Sequence, residues 1–380
     1  MGSFVFESPI FIIFLTYKGL SYSEITLLFS LYAFAVVSFE YITGVIADKY
    51  SRKGILIFST SALVLGELFF IFGTSFMLHA VGIIMIALST ASRSGADIAY
   101  LYDKLKDMNF EDEFNDIISS LRSITLFISA GACILGSFIT VFSMNIPLWG
   151  TVFFSAFSIL MLTQFREPSI RQRELSTSRI LIDSYKNISE NKTVFKYVLL
   201  SILIFPSFHI LDQLLQPYLG INSIRIEYFG IFYTALSVFQ ALGTKLSGKL
   251  LKKHSSEKLL NLSVHLIIIG FLLMYFDSNF IVFIIPVIMG TAFGIYYNVN
   301  NISVNKHIES RVRASVLSLQ HALTKVMQMS MFGVISLFID NNQLRHIFLA
   351  FAVFLLIMNS SLLFFIRAKQ SSISYEKTES

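Results

Sequence analysis

The chain has 380 residues, of which 54% are hydrophobic and only 14% charged, and its mean hydropathy is +0.69. A soluble domain carries about 25% charged residues, so a water-soluble globular protein is excluded. One Cys (Cys133) excludes a disulfide framework and a cysteine-rich metal site. A net charge of +5 is too small for a nucleic-acid binder unless concentrated, and the excess is concentrated in short connecting segments, which is a membrane pattern.

A helix needs about 20 mainly apolar residues to cross the hydrocarbon. In chain order, breaks at polar or Pro/Gly clusters predict twelve spans: 1–17, 24–47, 54–74, 78–102, 115–142, 145–165, 196–219, 226–248, 258–277, 280–302, 311–338 and 344–367. No period-two alternation of barrel strands is visible. The polar segment 166–195 divides the expected all-α membrane protein into two six-helix bundles, 1–165 and 196–367, followed by an unstructured tail at 368–380. Segment 1–17 is short for a span, contains Glu7, and lacks both a basic flank and a signal-peptide cleavage site. A start codon placed downstream of the true one would explain it.

Between spans two and three stands Gly44-Val-Ile-Ala-Asp48-Lys49-Tyr-Ser51-Arg52-Lys53. This resembles the signature loop of the major facilitator superfamily, with Ser51 where the family usually has Gly. Gly248-Lys-Leu-Leu-Lys252-Lys253 is a decayed copy between spans eight and nine, as expected of two tandem halves. Ser94-Gly-Ala-Asp97-Ile-Ala-Tyr-Leu-Tyr-Asp103 and Arg313-Ala-Ser-Val-Leu-Ser318 are similar to stretches of a drug-efflux group within that superfamily. The Gly-rich element of span five in proton-coupled antiporters is reduced here to Gly131 and Gly136.

The resemblance implies a secondary transporter working by alternating access. It has no organic cofactor, uses the proton gradient as its energy source, and has a small molecule, protons and the bilayer as partners. A monomer is expected. The favoured cargo is a hydrophobic or amphiphilic compound exported against protons, as in multidrug-resistance antiporters. The alternative is uptake or symport of a small polar or anionic metabolite. An integral-membrane transferase finds no loop large enough for a catalytic domain, and a non-transporting sensor remains a third reading. Composition heavy in Ile, Asn, Lys and Ser points to a bacterial plasma membrane.

The same resemblance assigns Gly44, Asp48, Lys49, Arg52, Lys53, Asp103 and Arg313 to a gate. Asp48 faces the amides that open span eleven, and Arg52 pairs with Asp103. Buried ionisable groups cost about 2.5–3.5 kcal/mol at mid-bilayer, so each needs a partner or a wet cavity. Glu40, Asp97 and Arg122 fall at similar depth, and Arg93 and Asp97 are i,i+4 on one expected helix. With Glu7 they are the candidates for proton coupling. Lys325, preceded by His321, and Asp212 with His209 are the candidates for substrate binding. None of these groups has metal-ligand spacing.

Inside-positive bias orients the chain: 22 Lys/Arg fall in the loops and termini of one side against three (Lys18, Arg225 and Arg345) on the other. Both termini are therefore expected in the cytoplasm. A cytoplasm-only reporter fused after Lys369 should be active and one fused at Asn145 silent; the reverse pattern inverts the topology.

Overall fold

The computed structural model describes residues 6–49, 51–167, 191–276, 278–308, 313–340 and 343–376. All regular structure among them is helical. The helices are α1 (Phe11–Tyr17), α2 (Tyr22–Lys49), α3 (Arg52–Phe72), α4 (Phe76–Arg93), α5 (Ala96–Asp107), α6 (Phe114–Ile139) and α7 (Ile146–Gln164). After the linker come α8 (Lys192–Ile221), α9 (Phe229–Leu250), α10 (Ser256–Tyr275), α11 (Asn279–His307), α12 (Arg313–Ser336) and α13 (Leu344–Glu376).

Helix starts follow local chemistry. Ser21 and Glu24 bond reciprocally through backbone and side chain, a capping box opening α2. Asn191 accepts from the amides of Thr193 and Val194 at 3.1 Å to open α8, and Ser51 accepts from Gly54 at 2.7 Å to open α3.

Three boundaries depart from the sequence expectation. The expected fourth span is two helices, because Gly95 adopts φ +76° and breaks the ladder between α4 and α5. Helix α1 is only seven residues long, and residues 6–10 before it form bends and turns rather than helix. Helix α13 runs to Glu376, since no Gly or Pro interrupts the polar tail.

Among the described residues, nine helices or joined helix pairs are long and apolar enough to cross a membrane. Three of the twelve expected spans fall outside that set: α1, α9 and α12. The first is too short, and α9 carries Gln240, Lys245 and Lys249. Helix α12 carries Gln320, His321, Lys325 and Gln328, a polarity that a cavity-facing helix requires and a hydropathy count penalises.

The chain divides into two compact units, residues 1–234 with 304–340, and residues 235–303 with 341–380. In the first, α3 packs on α4 and α7, while α2 packs on α4 and α12. Large side chains of α6, such as Phe127 and Leu126, stay exposed, as a lipid-facing surface should. In the second unit, α10 packs on α13 through Phe271, whose ring meets Phe351 edge-on at 5.0 Å. Helices α9 and α11 meet there backbone to backbone. A Cβ on Gly294 would lie 2.0 Å from the Gln240 carbonyl oxygen, and one on Gly243 would lie 2.3 Å from that of Thr291. Thr244 also donates to the Gly294 carbonyl at 3.2 Å. Lipid is as apolar as Leu, so such close contact by small residues is what holds helices together.

Gly294→Ala should therefore lower the thermal midpoint of the purified protein, by about 1–3 kcal/mol of overpacking. Gly220→Ala, whose added Cβ meets nothing within 4 Å, should not. A thermal melt in detergent distinguishes the two.

Candidate functional site

A cavity of about 620 Å³ opens among α1, α2, α3, α4, α5, α8 and α12 of the first unit. Apolar rings such as Phe11, Phe29 and Phe332 line part of it, and the rest is polar and charged. Glu7, Glu40, Arg93, Asp97, His321 and Lys325, all singled out from the sequence, face it.

At one end, Glu40 of α2 accepts from Ser94 Oγ at 3.1 Å and lies 3.4 Å from His321 Nδ1 of α12. Lys325, one turn further along α12, donates to Gln328 at 3.0 Å and stands 5.7 Å over the Tyr32 ring. Tyr32 donates to Thr90 of α4. A largely buried ammonium is thus held by an amide oxygen and a π face at the cavity wall. His209 and Gln213 enter from α8.

Two expected groupings do not form. Arg122 is exposed on α6 and is not among the cavity residues, so Glu40 and Asp97 meet Arg93, His321 and Lys325 in its place. Asp212 also lies outside the cavity lining. Its carboxylate accepts from the neighbouring Gln213, and its backbone carbonyl accepts from Tyr233. Because Gly95 turns the chain, Arg93 and Asp97 are not one helical turn apart, and Asp97 instead accepts from the Ile98 amide at 2.8 Å as α5 begins.

Sequence reasoning missed the other end of the cavity. There Glu67 of α3 is buried and borders the cavity together with Glu7. Thr151 of α7 donates to Glu7 at 2.5 Å. Only the pairing of helices brings these residues, 60 and more positions apart, together.

In the loop motif, Arg52 donates to Asp103 at 2.5 Å and to the Ala99 carbonyl at 3.1 Å. Lys53 donates to the carbonyls of Thr163 and Phe165 at the end of α7. Glu167 accepts from Ser51 Oγ and from the amides of Arg52 and Lys53, an anion on the positive end of α3. Gly44 borders open space, and Asp48 and Lys49 belong to α2 with side chains outside the described ones. Arg313 opens α12. Among the described residues no cluster of His, Cys, Asp and Glu could hold a metal ion.

The profile of the Major Facilitator Superfamily matches residues 1–320 and 211–379. The chain belongs to the major facilitator superfamily. It is therefore a multi-pass membrane transporter rather than an enzyme. Among solved structures it is similar to a point mutant of the nucleoside transporter NupG, with TM-score 0.77, 15% identity, and 95% of this chain and 94% of that one covered. It is also similar to a POT family transporter in complex with a thioalcohol-conjugated peptide, with TM-score 0.71, 11% identity, and 96% and 93% covered. A second POT family transporter structure, in complex with 5-aminolevulinic acid, gives TM-score 0.70 at 11% identity, with the same coverage. No curated protein matches this sequence. At these identities the structures share the fold alone.

Asp103 is buried and so is most of Arg52. Asp103→Asn keeps the shape and removes the charge, which should cost about 1.5–3 kcal/mol and appear as a lower thermal midpoint. An unchanged melt would mean that Arg52 is held by other contacts.

Proposed function

We propose that the chain is a secondary active transporter that carries a small polar solute bearing an anionic group, working by alternating access. The observation that carries this reading is the lining of the cavity. Lys325, Arg93, His321 and His209 contribute cationic or proton-accepting nitrogen, and Gln213 and Gln328 contribute amides. A carrier of wholly apolar compounds has no use for a buried ammonium, whose placement in the membrane interior is costly. The similar solved structures are named as carriers of nucleosides and as a transporter holding peptide-like or amino-acid-like ligands, in keeping with a polar cargo.

The second reading is export of an amphiphilic compound, favoured by Phe11, Phe29, Val36 and Phe332 along the same cavity. Both readings place the chain in a plasma membrane with cytoplasmic termini, acting as a monomer and driven by protons, and both take the Asp48 loop and Arg313 as parts of the cytoplasmic gate.

Transport into proteoliposomes separates them, using nucleosides, small amino-acid-like anions and a cationic dye as cargo. A polar anionic cargo should lose affinity in Lys325→Ala by about 10–100-fold in KM, the worth of one charge-assisted hydrogen bond. Dye transport indifferent to Lys325→Ala favours the amphiphile.

A further inference from the structure

Residues 6–10 are non-helical backbone among membrane-spanning helices, which is tolerated only where protein or a wet cavity satisfies it. This segment is clasped from four sides. The Phe6 amide donates to Thr151 Oγ1 of α7 at 3.2 Å, and the Phe6 ring stacks on Phe154 at 5.5 Å. Gln216 of α8 accepts from the Ile12 amide at 2.7 Å and donates to the Ser8 carbonyl at 2.8 Å. Gly136 of α6 lets the two backbones touch, since a Cβ there would lie 1.9 Å from the Phe6 carbonyl oxygen. On the fourth side stands Glu67 of α3, which shares the cavity wall with Glu7. Both side chains are buried, at 4% and 1% exposure, and both border the cavity.

Two ionised carboxylates are acceptors only, so these two buried acids can bond to one another only when one of them holds a proton. Glu67 Oε2 is buried with no protein partner, and Thr151 supplies its hydroxyl proton to Glu7 alone of the two. We propose that Glu7 and Glu67 form a two-carboxyl site for one shared proton, reached through the cavity, whose loss separates α3 from the segment 6–10. On deprotonation the O–H bond of the pair breaks and the proton passes to cavity water. Two negative charges are left in one poorly hydrated site, and they move apart. The coupling of this event to solute movement rests on the transporter reading; the proton site itself does not.

Other titratable groups border the same cavity or lie beside it. From α4 these are His79 and Arg93, from α5 Asp97, and from α2 Glu40. From α6 comes the Cys133 thiol, from α8 His209 and Asp212, from α9 Tyr233, and from α12 His321 and Lys325. The test must therefore separate the pair from these groups.

Trp149 makes that possible. It is the sole tryptophan, sits on α7 two residues before Thr151, and meets Phe72 of α3 edge-on at 5.9 Å. Its fluorescence in the purified full chain, titrated with pH without substrate, reads the α3–α7 contact. The wild type should show one reversible transition. Glu67→Gln and Glu7→Gln, whose amides donate to the remaining carboxylate at any pH, should abolish it. Glu67→Asp, which keeps a carboxyl, should retain a displaced transition, and His79→Gln should leave the transition in place. A transition surviving both amide variants, or carried away by His79→Gln, overturns the proposal.

Infrared difference spectra of the wild type across the same pH range should lose a protonated-carboxyl band, so the test stands even where an amide variant fails to fold; absence of that band overturns the proposal as well. Downhill exchange in Glu67→Gln should persist while proton-driven accumulation is lost. If no solute in the panel is carried at all, the transporter reading fails, and the fluorescence and infrared results still decide the proton site.

Discussion

Within hydrocarbon no water repairs an unsatisfied polar group. That constraint explains why this chain is helical and where its charges go. The helices satisfy their own backbones, and their starts are closed by Ser21, Ser51 and Asn191 side chains. The ionisable side chains cannot be spread over a lipid-facing surface, so they converge. Glu7, Glu40, Glu67, Arg93, Asp97 and Lys325 come from six different elements and border one cavity. The two Pro of α8 and the Pro of α11 sit inside helices, where neighbouring helices can re-satisfy the carbonyls they leave free.

The cavity has two ends with opposite electrostatic logic. At the Glu40 end, a carboxylate faces His321, with Lys325 one turn away. Acid and base compensate there, and a ligand anion or a ligand cation can compete for one partner without leaving the other stranded. At the Glu7 end, two buried acids border the cavity, and the Thr151 hydroxyl donates to one of them. No cation among the described residues bonds to that pair, so a proton is the smallest counter-charge that suits it. On the proposed reading, a single cavity offers a site where solute charge can be exchanged and another where a proton can be stored. Two linked sites of this kind are the minimum that coupled transport requires.

The span pattern was legible because hydropathy over about 20 residues is a one-dimensional signal. Arg52 with Asp103 was legible because a motif carries it. Arg122 misled because depth along a helix says nothing of azimuth: its side chain is exposed on α6 and does not line the cavity. The continuous helical register expected from Arg93 to Asp97 fails at one residue, since Gly95 was read as a helical position although it takes a left-handed turn. Glu7 with Glu67 was illegible for a different reason. Each residue declared itself as a membrane charge, but their pairing depends on a non-helical segment being threaded between α3 and α7, and no periodicity encodes that path.

The contacts of the motif loop end close to home. Arg52 binds Asp103 of α5, Lys53 binds the last carbonyls of α7, and Glu167 caps α3. All of these lie within the first 167 residues. If those helices move as one body, such contacts are equally strong in the inward- and outward-open states. A contact of equal strength in two states shifts no equilibrium between them, however strong it is. The basic residues and the Ser51 cap then serve to build the end of the bundle. Ser51 achieves this by accepting from the Gly54 amide and donating to Glu167, which takes the neighbouring Arg52 and Lys53 amides, a solution that glycine at this position lacks. Any bias between states must come from groups whose partners lie beyond residue 167, and in the loop motif that leaves Asp48, which the proposed gate sets against the start of α12. On that reading the signature loop combines two separable functions: a rigid scaffold of cations, and one acid through which the gate equilibrium can be set.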